Sequence, residues 1–490
     1  VAVTVREKLV ASSLGGVMVR LESWADVRVQ LPSPLSVPAE RLPPVGTPEM
    51  TTDRLSELSA RDEEMLSEIA LSSLPEAADV VIVGGGYAGL STALELARNG
   101  TKAVVLEAEE FGHGASSRNG GGVSGSNVGK GPTAGAISPV ERALGKERMH
   151  ELLMGGAEAM ANLEAMIERE KLECHYVRCG RFVGAYTPAH YESMAIKVAH
   201  LNSSGDFGAA LLPRGEQRRE IATDFYFGGM TVEGSGSVHP AMLQMALLDR
   251  CIEQGVILCA NTTMQAISPD GAGGEGGHLV ATSAGIIKAR EVVVGTNGYT
   301  GKATGWLRRR LIPAASYMIA TEERDADEIQ ALVPNNRTLA DSKRVLNYYR
   351  LAPGGRRVLF GGRARLALGD PRECAPILHR QMLDVWPQLE GIKISHCWTG
   401  GIAFTFDFLP HMGQHKGVHY MAGCNGAGVA MMTYLGTQTA LKILDKANRP
   451  CAFDELPFNS RPGYTGHAWF LPIVSGYYAL RDRMDRARAA

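Results

Sequence analysis

Apolar residues change their spacing several times along this chain, and each change marks an element. Positions 80–83 are all β-branched, as in a strand covered on both faces. Leu90, Ala93, Leu94 and Ala97 then recur at helical period and stop at Asn99-Gly100, a helix C-cap signal. A second apolar run at 103–106 predicts another buried strand, ending on Glu107. Residues 139–170 carry one long amphipathic helical pattern, 180–187 a strand and 188–201 a further helix. Pro240 marks a helix start just after His239, and that helix ends at Gly255. Strands are expected at 256–260 and 292–294. Residues 345–363 read as a hairpin around Pro353-Gly354-Gly355.

The first strand and helix are joined by glycines. Gly84, Gly86 and Gly89 have the G-x-G-x-x-G spacing, with Glu107 a little over 20 residues after Gly84. The first glycine permits the turn, the second lets phosphate oxygens approach the backbone, and the third lets helix pack on strand. Free N–H groups and the positive helix end then face a pyrophosphate. The acid accepts ribose hydroxyls and disfavours a 2′-phosphate. A bare glycine cluster is as often only a tight turn; the flanking strands and the acid favour a dinucleotide. Residues 417–444 repeat the theme, with a strand at 418–422, Gly423, Gly426 and Gly428, then a helix. A second helix start aimed at one ligand suits a second anionic group, which a reduced flavin has and a nicotinamide does not.

Composition bounds the rest. At 490 residues, two intertwined or adjacent domains are expected. A net charge of −2 gives no electrostatic case for nucleic acid or an anionic membrane. No apolar run approaches the ~20 residues that span a bilayer. The eight cysteines form no C-x-x-C pair and no zinc-spaced cluster, so no metal is expected and reduced cytoplasmic thiols are the plain reading. Residues 1–75 form an N-terminal extension whose "LPSPLSVPAERLPPVGTP" reads as a partly disordered arm, with a short helix over 53–74 and Met50 as a candidate biological start.

The motifs "VVIVGGGYAGL", "GHGASSRNGG", "GSVHP", "NYYRLAPGGRRVLFGGR", "CWTGGIAFTFDFLPHMG", "GCNGAGV" and "GYYALRDRM" resemble the D-amino-acid-oxidase-like superfamily of FAD-dependent oxidoreductases. The likeness runs from about residue 79 to 483. It points to gamma-glutamylputrescine oxidoreductases and related amine oxidases, and next to sarcosine and glycine oxidases. It implies an α/β fold: an FAD-binding, doubly wound, Rossmann-like domain of glutathione-reductase type, interleaved with a mixed-sheet substrate domain. The expected division is 76–140, 222–310 and 396–450 for the FAD-binding domain, 141–221 and 311–395 for the substrate domain, and 451–490 as a tail packing on the core.

The same resemblance implies site residues. Gly84, Gly86 and Gly89 would line the pyrophosphate and Glu107 the adenosine ribose. Ser116, Ser117, Arg118, Asn119 and Gly120 would pass along the flavin and ribityl chain. Gly426, Gly428 and Val429 would form the turn at its pyrimidine edge, where Ala427 replaces the histidine of many relatives. Asn119 and Ile402 stand where some relatives carry the histidine or cysteine that bonds the flavin, so noncovalent FAD is expected.

The implied chemistry is oxidation of a primary or secondary amine, of gamma-glutamylputrescine type, by hydride transfer to flavin N5 with hydrolysis of the imine, as in polyamine catabolism. Oxygen or another acceptor takes the electrons. An oxidase of N-methyl or cyclic amino acids (sarcosine, pipecolate) is the alternative within enzymes, and a non-catalytic flavin-binding subunit the alternative outside them. Such chemistry needs no nucleophile. Tyr349 resembles the tyrosine that faces the flavin in sarcosine oxidases, although alternation leaves Tyr348 or Tyr349 facing the site and the other packed in the sheet. Arg350, Arg363 and Trp398 are further candidates, Arg363 as the cation that promotes oxygen reduction. No arginine lies between Gly400 and Pro410, where alpha-amino-acid oxidases clamp a carboxylate; this argues against a simple alpha-amino acid. His239, His396, His411, His415 and His419 are each more often structural than basic catalysts.

Overall fold

The computed structural model describes residues 19–21, 27–29, 73–125, 139–271 and 277–489. Nearly all of the proline-rich arm and of the expected helix over 53–74, Met50 included, lies outside them.

Two large sheets organise these residues. The first has eight strands with a parallel centre: Ile257–Cys259, Ala103–Leu106, Ala77–Val83 and Gly285–Val294 lie side by side, and Val418–Ala422 adds parallel to the last. Val80, Val81, Ile82, Val104 and Val105 are fully buried, as central parallel strands covered on both faces must be. Helix Tyr87–Arg98 follows the first strand and packs on helix Gly428–Ile443, with Thr92 Oγ1 3.1 Å from the Gly436 carbonyl. Both glycine turns thereby feed helices on the same side of one sheet.

The second sheet has ten strands and is almost wholly antiparallel. Ile394–Thr405, Leu311–Thr321, Val358–Gly362, Asn347–Leu351, Thr338–Asp341, Arg181–Gly184, Gly229–Val232 and Ala209–Leu212 follow one another across it, and Val19–Leu21 and Val27–Val29 complete one edge. One pair, Arg181–Gly184 with Thr338–Asp341, is parallel. One face buries Phe182, Tyr317, Tyr349 and Phe360 against helix Pro371–Val385 and Trp386. The other face looks toward the glycine-rich elements of the first sheet.

Several sequence expectations shift. Strands Gly229–Val232 and Ile394–Thr405 belong to the ten-stranded sheet, although 222–310 and 396–450 were expected in the cofactor-binding unit. Their partners are distant in sequence, so periodicity along the strand carries no information about which sheet they join. The long pattern over 139–170 is two helices, Pro139–Leu144 and Lys146–Glu170, broken at Gly145, whose φ of 85° no helix accommodates. The C-terminal segment ends in helix Leu471–Ala487, which docks on the second sheet: Asp482 and Asp485 pair with Arg344, and Arg486 donates to the Tyr186 and Phe225 carbonyls. Among the described residues no helix is long and apolar enough to cross a membrane, and no cluster of three or more His, Cys, Asp or Glu has metal-binding geometry.

Candidate active site

The opening turn is shaped for close approach. A Cβ on Gly89 would stand 1.9 Å from the Gly84 carbonyl oxygen, so only glycine lets the helix start there. Glu107 accepts the Gly85 N–H at 2.8 Å, and burial pushes its carboxyl pKa up. The N-cap residues of helices Tyr87–Arg98 and Gly428–Ile443, Gly86 and Ala427, provide no side-chain cap. Both helix ends thus border the same void, and of the first N–H groups of helix Tyr87–Arg98 that of Tyr87 is taken by Ser116. That cavity measures about 510 Å³, within the range of small-ligand sites.

The loop after the second strand closes one side. Ser116 Oγ accepts the Tyr87 N–H at 3.1 Å, and Ser117 Oγ donates to the Gly112 carbonyl. Asn119 ties the loop to itself: its amide nitrogen reaches the Ser116 carbonyl at 2.8 Å and its oxygen accepts the Gly121 N–H at 2.8 Å. Trp398 Nε1 donates to the Arg118 carbonyl at 2.9 Å. Arg350 donates to the carbonyls of Gly120 at 2.8 Å and Val238 at 3.0 Å. These contacts hold the loop against the second sheet.

Gly120 faces Tyr348: a Cβ at that glycine would lie 2.6 Å from the tyrosine ring. Tyr348 OH is 2.7 Å from Ser316 Oγ, and burial raises its phenol pKa, so it stays protonated and able to donate. Arg363 lies over the Phe404 ring at 4.7 Å, with a guanidinium nitrogen 3.5 Å from where a Gly426 Cβ would stand. Burial lowers its pKa while Tyr348 acts in the opposite direction. Ile402, Phe404 and Phe408 supply an apolar wall to the same cavity.

Gly86, Ser116, Arg118, Asn119, Gly120, Gly426, Gly428, Val429 and Arg363 therefore meet around one cavity, whereas Gly84, Gly89 and Glu107 do not line it and shape the turn that carries Gly86. Three residues sit otherwise than expected, one of them Ser117, whose hydroxyl turns to the Gly112 carbonyl and does not line the cavity. The Tyr349 ring is stacked on Phe360 at 4.9 Å, edge-on to Trp386, with its hydroxyl bonded to Tyr226, so the residue of the pair that faces the glycine loop is Tyr348. Trp398 braces the Arg118 carbonyl and does not line the cavity. Arg350 is likewise a brace for the loop. The five histidines singled out all lie elsewhere: His411 pairs with Asp407 and stacks on Phe458, His415 stacks on Trp306, His419 meets Glu291, His239 caps helix Pro240–Glu253, and His396 meets Ser395. The cavity's imidazoles are His190 and His200, and burial holds the pKa of His190 below its ordinary value.

Some contributors escaped the sequence reading. Gln244 donates to the Gly85 carbonyl at 2.6 Å from 159 residues away, and Phe111 leaves no room for a side chain at Gly85. Ser316 and Arg181 also went unnoticed, because nothing local distinguishes a strand residue facing a cavity from one facing solvent.

Glycine turns at two helix starts, opening onto the polar and aromatic face of a second sheet, fit a flavin-dependent oxidoreductase. Residues 79–441 match the family model described as DAO, FAD dependent oxidoreductase, and the chain belongs to that family. It is 32% identical over 412 residues to the gamma-glutamylputrescine oxidoreductase of Escherichia coli (strain K12), covering 83% of this chain and 93% of that protein. It is 25% identical over 392 residues to the glycine oxidase of Geobacillus kaustophilus (strain HTA426), covering 78% of this chain and 96% of the other. The crystal structure of glycine oxidase from Geobacillus kaustophilus superposes with a TM-score of 0.66 at 21% identity, covering 79% of this chain and 99% of that one. That of L-proline dehydrogenase from P. horikoshii gives 0.63 at 18%, covering 77% and 96%. The fold is thus the α/β fold of this family, with an FAD-binding Rossmann-like domain, and the protein is an FAD-dependent enzyme.

Proposed function

We propose that the protein oxidises the C–N bond of a primary or secondary amine of gamma-glutamylputrescine type. The observation that carries this is the shared cavity: the glycine turns that fit FAD and the face bearing Tyr348, Arg363 and Phe404 line the same void. The relative named for gamma-glutamylputrescine supports the substrate class. When bound, FAD would supply the electron sink for hydride removal from the carbon next to nitrogen, at its N5.

The chain's own residues hold and orient. The two helix ends would face the negative charge of the cofactor, and Asn119 and Ile402, neither a nucleophile, would leave it noncovalently bound. Tyr348 and Ser316 offer a hydroxyl pair beside the loop to position the amine. Ile402, Phe404 and Phe408 exclude water and contribute no cation for an adjacent carboxylate, which disfavours simple alpha-amino acids. Arg363 is the cation placed to promote reaction with oxygen. All eight cysteines are free thiols, in keeping with a reducing, cytoplasmic setting.

Anaerobic mixing of the yellow protein with an amine panel tests the reading. Gamma-glutamylputrescine and related alkylamines bleach the visible flavin band; bleaching by sarcosine or pipecolate alone would reassign the substrate, and no bleaching by any amine would leave a binding subunit.

A further inference from the structure

The far end of the cavity carries an unusual cation. Seven basic side chains line the cavity against a single acid, Asp341. Most of the bases are engaged. Lys343 pairs with Asp341 at 3.0 Å, Arg344 with Asp482 and Asp485, Arg350 bonds backbone carbonyls, and Lys197 also has a partner. Arg118 and Arg363 flank the glycine-rich loops that fit the cofactor. Arg181 remains. It is only partly exposed, and its guanidinium has neither a hydrogen-bond acceptor nor an ion-pair partner among the described residues.

Sheet register places Arg181 relative to the reacting end. In strand Arg181–Gly184 the alternate residue Phe182 points into the core with Tyr349, so Arg181 and Val183 face the cavity. Arg181 aligns with Thr338, and Val183 with Ala340, which aligns with Tyr348. The strand of Arg181 is therefore two strands from that of Tyr348. At ~4.8 Å per strand and ~3.3 Å per residue, with Arg181 two residues beyond the level of Tyr348, the backbone separation is about 12 Å. An unpaired guanidinium in a water-poor wall is costly unless a ligand anion completes it, and its planar fork matches a carboxylate. Burial accordingly pulls its pKa down to about 10.

We propose that Arg181 is a specificity-determining residue that binds a carboxylate carried by the amine substrate at the end of the cavity about 12 Å from Tyr348. This rests on the amine-oxidising reading above and deepens it: the substrate class is an ω-aminoalkyl chain ending in a carboxylate-bearing group, as a gamma-glutamyl amide does. A free diamine, doubly cationic, meets a cavity of the wrong sign. The simple alpha-amino acids are excluded by distance, since their carboxylate lies one bond from the reacting carbon.

The test uses FAD-loaded wild type, Arg181→Met and Arg181→Lys, with bound flavin content reporting that each variant is folded. Binding is read by perturbation of the flavin spectrum with gamma-glutamylbutylamide, which has the carboxylate but no terminal amine, and with N-butylbutanamide, which has neither. Wild type should prefer the first by roughly tenfold or more, Arg181→Met should lose that preference, and Arg181→Lys should retain part of it. In turnover, Arg181→Met should lower kcat/KM for gamma-glutamylputrescine by roughly thirtyfold through KM, leaving N-acetylputrescine unchanged. Equal carboxylate preference in wild type and Arg181→Met, or none in wild type, would overturn the assignment. If no amine is oxidised, the proposed activity fails, yet the binding comparison still decides the role of Arg181.

Discussion

On the proposed reading, the two sheets bind by different means. On the parallel sheet the contacts are made by backbone: Gly84, Gly86 and Gly89 clear a path, helix ends supply N–H groups, and one side chain, Glu107, closes the turn. On the ten-stranded sheet they are made by side chains drawn from many strands, with Ser316, Tyr348, Arg363 and Arg181 separated by up to 182 residues of sequence. Backbone recognition tolerates no intrusion but demands little chemical variety. On the proposed reading, substrate choice resides in those side chains.

The largest effect should come from intruding on the backbone side. Gly89→Val adds a Cβ that would meet the Gly84 oxygen at 1.9 Å. Backbone has no rotamer to move away with, so the variant should purify with little or no flavin by absorbance; a normal flavin-to-protein ratio would show that the turn is not the cradle. The flavin held by wild type should leave with acid precipitation, because Asn119 and Ile402 offer no nucleophile. Colour retained in the washed pellet would contradict that.

Next in size is Glu107→Ala. Loss of charge-assisted bonds from a buried acceptor costs roughly 1.5–3 kcal/mol, so the FAD dissociation constant should rise about tenfold or more. Fluorescence titration of apoprotein measures it, and an unchanged constant would detach Glu107 from the cofactor.

Adjacent tyrosines sharpen the contrast between the two faces of the second sheet. Tyr348→Phe removes the hydroxyl facing the loop and should slow anaerobic flavin reduction by about tenfold, the worth of one good hydrogen bond, with FAD affinity kept. Tyr349→Phe removes one member of the buried Tyr226 pair and should cost about 1 kcal/mol of stability in urea while leaving reduction intact. The opposite pattern would return the role to Tyr349.

The smallest effect expected is on Arg363→Met. Reoxidation of the dithionite-reduced enzyme by oxygen should slow several-fold in stopped flow, since a fixed positive charge is lost beside the Gly426 turn. Equal rate constants would remove Arg363 from that step; rates near zero in both would make the enzyme a dehydrogenase.

The contrast also explains what could be read from the chain. The opening turn was legible because strand, glycines, helix and acid are contiguous, and each has a local physical reason. The hairpin was legible too, but which tyrosine faces inward was not: alternation fixes that the two differ and leaves the sign to whatever covers each face, here Trp386 and Phe360 on one side and Gly120 on the other. Trp398 and Arg350 were visible as chemically capable residues, while their use as braces depends on loop carbonyls more than 200 residues away. Strand Gly229–Val232 read as part of the wrong unit for the same reason: its partner at Arg181–Gly184 is a long-range choice.

The most direct test of amine oxidation at this shared cavity is a single anaerobic turnover with gamma-glutamylputrescine, unlabelled and dideuterated at the carbon bearing the terminal amine. The account predicts complete bleaching of the visible flavin band and several-fold slower bleaching with the deuterated compound, because that C–H bond is the one broken. A flavin band left unchanged by both compounds would contradict it.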